Sequence, residues 1–118
     1  MTETTVTPYP DTPAAVAAAV LDAIEAEPGA FDMSTWFWSS NATSLPPQQT
    51  PDCGTTMCAA GWAAHLTGWT LRGTVATKDG QVREIEDVAR KALGLKTDSL
   101  FYTNADDAIE TLRTIAGR

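Results

Sequence analysis

Three side chains near the middle of the chain could bind a metal ion. Cys53, Cys58 and His65 carry the soft donor atoms that zinc prefers, and Asp52 could supply a fourth ligand. Their spacing argues against a shared ion, because a helix over residues 57–66 would separate Cys58 from His65 by about 10.5 Å along its axis. The usual zinc patterns, two CxxC knuckles or HExxH, are absent from the sequence. We therefore predict no metal and no other cofactor, and keep these three side chains as a weaker alternative.

Cys58 is also a candidate nucleophile. It is predicted to lie in the first turn of a helix, where the helix dipole lowers the pKa of a thiol. Thiol catalysis also needs a base within hydrogen-bond distance, and the chain has one histidine. Because His65 lies two turns further along the same predicted helix, it is badly placed to meet the thiol. The sequence therefore favours a protein without catalytic activity, in which the cysteines pack as small hydrophobic side chains.

The acidic clusters have a structural explanation. Asp106 and Asp107, like Glu84, Glu86 and Asp87, fall in or near the first turn of a predicted helix, where negative charge is stabilising. The sequence contains no Walker A loop, GxGxxG, GxSxG or EF-hand pattern. We therefore predict no catalytic residues.

Three consecutive aromatic residues, Trp36, Phe37 and Trp38, are the candidate partner-binding residues. Adjacent aromatics cannot all point inward from a regular element, so at least one should be partly exposed. Exposed tryptophans are favoured anchors in protein interfaces. The alternative is that two of the three fill the core while the third covers an alanine-rich helix surface.

Four helices are predicted to position these residues. They cover about residues 12–27, 56–66, 84–93 and 105–116, each with a capping residue or a glycine or proline stop. The second should be a central helix, because its small side chains permit close packing. We predict an all-α or nearly all-α fold of about four helices, with at most a short β-hairpin near residues 70–83. Residues 12–118 would form a single domain after a flexible lead-in of residues 1–11.

The charge of the chain is unevenly distributed. Of the net charge of −7, the entire excess lies in the first 71 residues, since no lysine or arginine precedes Arg72. That part of the chain cannot form the basic patch that nucleic acids or anionic membranes need. The sequence has no signal peptide and no run of 18 apolar residues, so we predict a cytoplasmic protein that binds neither nucleic acid nor membrane directly.

Several segments resemble a group of small uncharacterised proteins found in actinobacteriophages and actinobacteria. The similarity lies in a CGTxxCxAGWA segment, an upstream FDMxxW-like stretch and a downstream LGL and LFY pattern, and it covers about residues 13–116. In this chain the segments are Phe31 to Trp36, Cys53 to Ala63, Val88-Ala89, Leu93 to Leu95 and Leu100 to Tyr102. The resemblance implies a phage-type origin and, if phage-encoded, a place in the host cytoplasm; it implies no catalytic residues.

These observations favour a small accessory protein that acts by binding a host or phage protein. One alternative is a small-molecule or metal-binding domain that uses Cys53, Cys58 and His65. Another is a weak mimic of nucleic acid that displays the acidic N-terminal half to a DNA-binding protein.

Overall fold

The computed structural model describes residues 9–40, 43–51, 54–97 and 99–118. Within these ranges the fold is mixed α/β, with four α-helices and two small antiparallel sheets, so the prediction of an all-α or nearly all-α fold is wrong, although about four helices were expected. Single 3-10 turns cover Pro28–Ala30 and Ser99–Tyr102. The helices and strands, in chain order, are α1 (Pro13–Ala26), β1 (Trp38–Ser39), β2 (Thr55–Thr56), α2 (Ala59–Leu66), β3 (Thr70–Arg72), β4 (Val75–Lys78), β5 (Gln81–Glu84), α3 (Ile85–Ala92) and α4 (Ala105–Ala116).

One antiparallel sheet replaces the short hairpin predicted near residues 70–83. Strands β3, β4 and β5 follow one another in a meander, with Arg72 opposite Val75 and Lys78 opposite Gln81. The turn between β4 and β5 has positive φ at both central residues, Asp79 (51°) and Gly80 (79°), as a type I′ turn requires. A second turn at residues 73–74 divides the predicted first strand into two, and this turn was not expected.

The other sheet pairs segments that are distant in sequence. In β1 and β2, Trp38 lies opposite Thr56 in an antiparallel register. On the other side of the same segment, the Met57 amide donates to the Ala30 carbonyl and the Asp32 amide donates to the Met57 carbonyl, each at 2.9 Å. Because Thr56 is β-branched and paired, it belongs to a strand and not to the helix predicted over residues 56–66. Helix α2 therefore begins three residues later than expected.

Local capping signals place the other three helices as predicted, to within about two residues. The Thr12 hydroxyl accepts a hydrogen bond from the Ala15 amide at the start of α1 (3.2 Å), and Asn104 Oδ1 accepts one from the Asp107 amide in α4 (2.8 Å). After α3, Gly94 has a φ of 67°, as is common where a helix ends.

Helix α2 lies at the centre of the protein, as the sequence predicted. Every residue from Ala59 to His65 is buried, and both α1 and α3 pack against this helix. Helix α1 also packs against α4. None of the helices in the described ranges has the length and apolarity to span a bilayer.

In the connection between β1 and β2, Leu45 pairs with the three-stranded sheet. Leu45 is buried and forms an isolated antiparallel bridge with Leu71 of β3. The two residues exchange both backbone hydrogen bonds, at 2.8 and 2.9 Å. Leu45 therefore anchors the connection in the core.

Candidate binding cleft beside Cys58

Three segments that are far apart in sequence meet at a small cleft, which we call the Cys58 cleft. It has a volume of about 290 Å³. Its lining residues come from the segment before β1, from the start of α2 and from the 3-10 turn before α4. They are Met33, Ser34, Thr35, Trp36, Cys58, Phe101, Tyr102 and Thr103.

The wall formed by residues 32–36 is held by short hydrogen bonds. The Asp32 carboxylate accepts hydrogen bonds from the Ser34 hydroxyl (2.6 Å) and the Ser34 amide (2.9 Å), and these lower the pKa of Asp32. The Cys58 amide donates to the Thr35 carbonyl at 2.6 Å. Hydrogen bonds therefore hold the residues of this wall together and also attach the wall to the N-cap residue of α2.

Cys58 lies at the base of the cleft as the N-cap residue of α2, with extended backbone angles. It is only 2% exposed. Burial raises the pKa of the thiol, although the amides of Gly61 and Ala60 act in the opposite direction. The sequence suggested that the helix dipole would lower this pKa, but desolvation of a thiolate is the larger effect here. The thiol is therefore protonated at neutral pH.

An aromatic group forms the rim of the cleft. The ring of Trp36 packs edge-to-face against Phe101 (centroids 6.2 Å apart) and against Tyr102 (5.9 Å). The Tyr102 hydroxyl donates a hydrogen bond to Glu86 of α3 at 2.6 Å. These contacts fix the orientation of the Trp36 ring and connect the rim to α3.

The three aromatic residues singled out in the sequence have three different environments. Phe37 is buried in the core, Trp36 is half-buried at the cleft, and Trp38 is 56% exposed. At least one exposed ring was expected, and Trp38 is that ring. Tyr102, which sequence reasoning did not select, is 66% exposed. We call Trp36, Trp38 and Tyr102 the aromatic surface.

Gly61 allows the cleft wall to lie directly on α2. A Cβ atom at this position would overlap the carbonyl oxygen of Trp36 and would lie 2.8 Å from the Cβ of Met57. Only glycine therefore fits where the backbone at Trp36 crosses the helix. The glycine in the AGWA segment is thus explained by contact with a neighbouring chain segment.

His65 does not line the cleft with Cys58. It lies near the other end of α2, edge-on to the Trp62 ring with centroids 6.2 Å apart. It is buried, and burial lowers the pKa of its imidazole. Within the described ranges, neither its Nδ1 nor the Trp62 Nε1 has a hydrogen-bond partner.

Of the metal ligands considered in the sequence, the structure describes Cys58 and His65, and it does not bring these two together. Cys58 and His65 are seven positions apart at opposite ends of one helix, and Asp52 and Cys53 lie outside the described residues. Among the residues that are described, no three histidine, cysteine or acidic side chains are grouped so as to hold a metal ion.

Comparison of the chain with protein-family models, curated proteins and solved structures gave no match.

Proposed function

We propose that this protein is a small accessory factor that binds a protein partner through the aromatic surface, without catalysis of its own. The observation that carries the proposal is the exposure of two large aromatic side chains, Tyr102 in the lining of the cleft and Trp38 two residues after the cleft-lining Trp36. Three large hydrophobic side chains are exposed in the described part of the chain, namely Trp38, Tyr102 and Val82. Two of them belong to the aromatic surface, and tryptophan and tyrosine are the residues most enriched among interface hot spots.

The site is also rigid enough to bind without a large loss of entropy. Trp36 is packed against two rings, and the neighbouring backbone is hydrogen-bonded to Cys58. Aromatic side chains held in this way lose little conformational freedom when they are covered. The Cys58 cleft, at about 290 Å³, is large enough to receive one side chain from a partner.

The chemistry of the cleft supports a binding role over a catalytic one. The Cys58 thiol is buried and has a raised pKa, which disfavours the reactive thiolate. The hydroxyl of Ser34 donates to Asp32, and the hydroxyl of Thr103 donates to the Leu100 carbonyl (2.8 Å). These groups therefore serve to hold the walls of the cleft in place.

The resemblance to actinobacteriophage proteins points to the source of the partner. We propose a cytoplasmic protein of the host or the phage. The contact would be largely apolar at its centre, because the exposed groups there are aromatic rings.

Affinity capture from host lysate with four tagged forms of the protein tests this proposal. The forms are the wild type, Trp38→Ala, Tyr102→Ala and the control Val82→Ala, which removes an equally exposed side chain from β5. Loss of a hot-spot side chain costs about 2 kcal/mol or more, or roughly thirtyfold in affinity. A specific partner should therefore be recovered with the wild type and Val82→Ala and depleted with the other two.

Two results would contradict the proposal. One is recovery of the same partner in equal amounts with all four forms. The other is the absence of any specific protein from captures with the wild type. Circular dichroism of each variant establishes beforehand that the fold is intact.

A further inference from the structure

A basic groove lies on a different part of the protein, between the N-terminal approach to α1, the end of α2, the three-stranded sheet and α3. It has a volume of about 990 Å³. Four of the eight basic residues of the chain line it, together with two acidic residues, although the chain as a whole carries a net charge of −7. The basic residues are Lys78, Arg83, Arg90 and Lys91. The groove therefore has the opposite sign of charge to the protein as a whole.

Lys78 is held in a defined position beside two aromatic rings. Its ammonium group donates a hydrogen bond to the Thr67 carbonyl at the end of α2 (3.1 Å). It also lies 5.8 Å from the centroid of the Tyr9 ring and 5.9 Å from that of Trp69, within the range of a cation–π interaction. Tyr9 in turn packs on Gly68, where a Cβ atom would lie 2.9 Å from the ring. This part of the groove is thus an ordered aromatic wall that carries a fixed positive charge.

The remaining basic side chains are available to a ligand to different degrees. Arg90 is paired with Asp87 at 3.3 Å. Arg83 and Lys91 are exposed, and neither forms a salt bridge within the part of the chain that the structure describes. Apolar side chains, including Val88 and Leu95, also line the groove. The groove therefore combines exposed cations with apolar and aromatic side chains.

We propose that this groove binds a phosphorylated small molecule with an aromatic ring system, of the size of a nucleotide. Arginine and lysine are the side chains that bind phosphate groups. Small-molecule sites have volumes of roughly 300–1,000 Å³ and are mostly apolar with a few placed polar groups. The groove falls within this range of volume and contains apolar and aromatic side chains beside its charged ones, and its volume exceeds what a phosphate ion alone would fill. The proposal is independent of the partner-binding function, because the aromatic surface and the groove share no residue.

Binding of ATP without added metal, measured by calorimetry and by chemical-shift mapping on the full chain, tests the proposal. Adenosine supplies the ring without phosphates, and pyrophosphate supplies phosphates without the ring. A peptide of glutamates tests for an acidic protein segment in place of a nucleotide. We expect ATP to bind more tightly than the other three probes and to shift amides of β4, β5 and α3.

Two double variants with the same net charge distinguish binding in the groove from a general effect of the protein's charge on ATP. Arg83→Ala with Lys91→Ala removes the two unpaired cations of the groove and should weaken ATP binding by at least about tenfold. Arg72→Ala with Lys96→Ala removes two exposed cations that do not line it, and should change binding less than about twofold.

Each of four outcomes would overturn the proposal. They are no ATP binding at millimolar concentration, equal binding of ATP and pyrophosphate, equal weakening in both double variants, and binding of the glutamate peptide in preference to ATP.

Discussion

Replacement of Gly61 by alanine is the most direct test of how the Cys58 cleft is built. In an exposed helix this change would stabilise the protein by up to about 1 kcal/mol, because alanine has the higher helix propensity. In α2 the added Cβ would overlap the Trp36 carbonyl oxygen and lie 2.8 Å from the Met57 Cβ. Carbon atoms in good contact are about 3.5–4.0 Å apart, so the wall at Trp36 must move by about 1 Å.

The expected cost follows from what such a movement disrupts. Overpacking a core typically costs about 1–3 kcal/mol, and the overlapping group here is backbone, which cannot rotate away. The hydrogen bond from the Cys58 amide to the Thr35 carbonyl would also weaken, at a cost of about 1 kcal/mol. After a gain of up to about 1 kcal/mol in helix propensity, we expect Gly61→Ala to lower the free energy of unfolding by about 1–3 kcal/mol.

Urea unfolding followed by tryptophan fluorescence and circular dichroism measures this change. Gly29→Ala is the matched control, because a Cβ at Gly29 meets nothing within 4 Å; its effect should lie within about 1 kcal/mol of zero. A Gly61→Ala protein as stable as the wild type would refute the reasoning, since the cleft wall could not then be in contact with α2.

Three further predictions concern other buried groups. Burial lowers the pKa of His65, so as the pH falls the unfolded chain is protonated at this residue before the folded protein is. The free energy of unfolding should therefore be constant in this respect above about pH 6.5 and decrease below it by up to about 1.4 kcal/mol per pH unit. Urea unfolding at pH 7.5 and 5.5 should show a smaller decrease for His65→Gln than for the wild type, and equal decreases would contradict this prediction. Cys58 has a raised pKa and low exposure, so it should react with iodoacetamide at pH 7 at least about tenfold more slowly than free cysteine. The rate is measured on the peptide that contains Cys58, with the urea-unfolded protein as control, and a rate equal to that of free cysteine would disprove the prediction. Leu45→Ala should lower the free energy of unfolding by about 2–5 kcal/mol, because Leu45 is buried. The control Val82→Ala, at an exposed position, should change it by less than about 0.5 kcal/mol. A loss below about 1 kcal/mol for Leu45→Ala would show that Leu45 does not anchor the loop.

The helices were predictable where the signal was local. Thr12 before Pro13 and Asn104 before Ala105 are caps that act within one turn, and both are capping residues in the structure. The strands were harder, because β1 and β2 are paired across 18 residues without a short turn between them. Nothing local at Thr56 distinguishes a strand residue from a helix cap, since threonine suits both.

The candidate site was predictable only in part. The exposure of one aromatic residue could be predicted because three consecutive aromatic residues, Trp36 to Trp38, cannot all be buried. The contribution of Tyr102 could not, because it depends on a 3-10 turn that brings this residue to Trp36. The sequence offers His65 and Cys53 as chemical partners of Cys58 because they are near it along the chain, whereas the cleft is formed with Ser34 and Tyr102.

The burial of α2 has a consequence for synthesis of the protein. A free helix of eight residues is unstable in water, and α2 has no exposed face that could be satisfied by solvent. It should form only when α1 and α3 can both cover it, and α3 ends at Ala92. The cleft also needs Thr103, so a nascent chain on the ribosome would lack α2 until the residues up to Ala92 had been made, and the cleft until those up to Thr103 had followed.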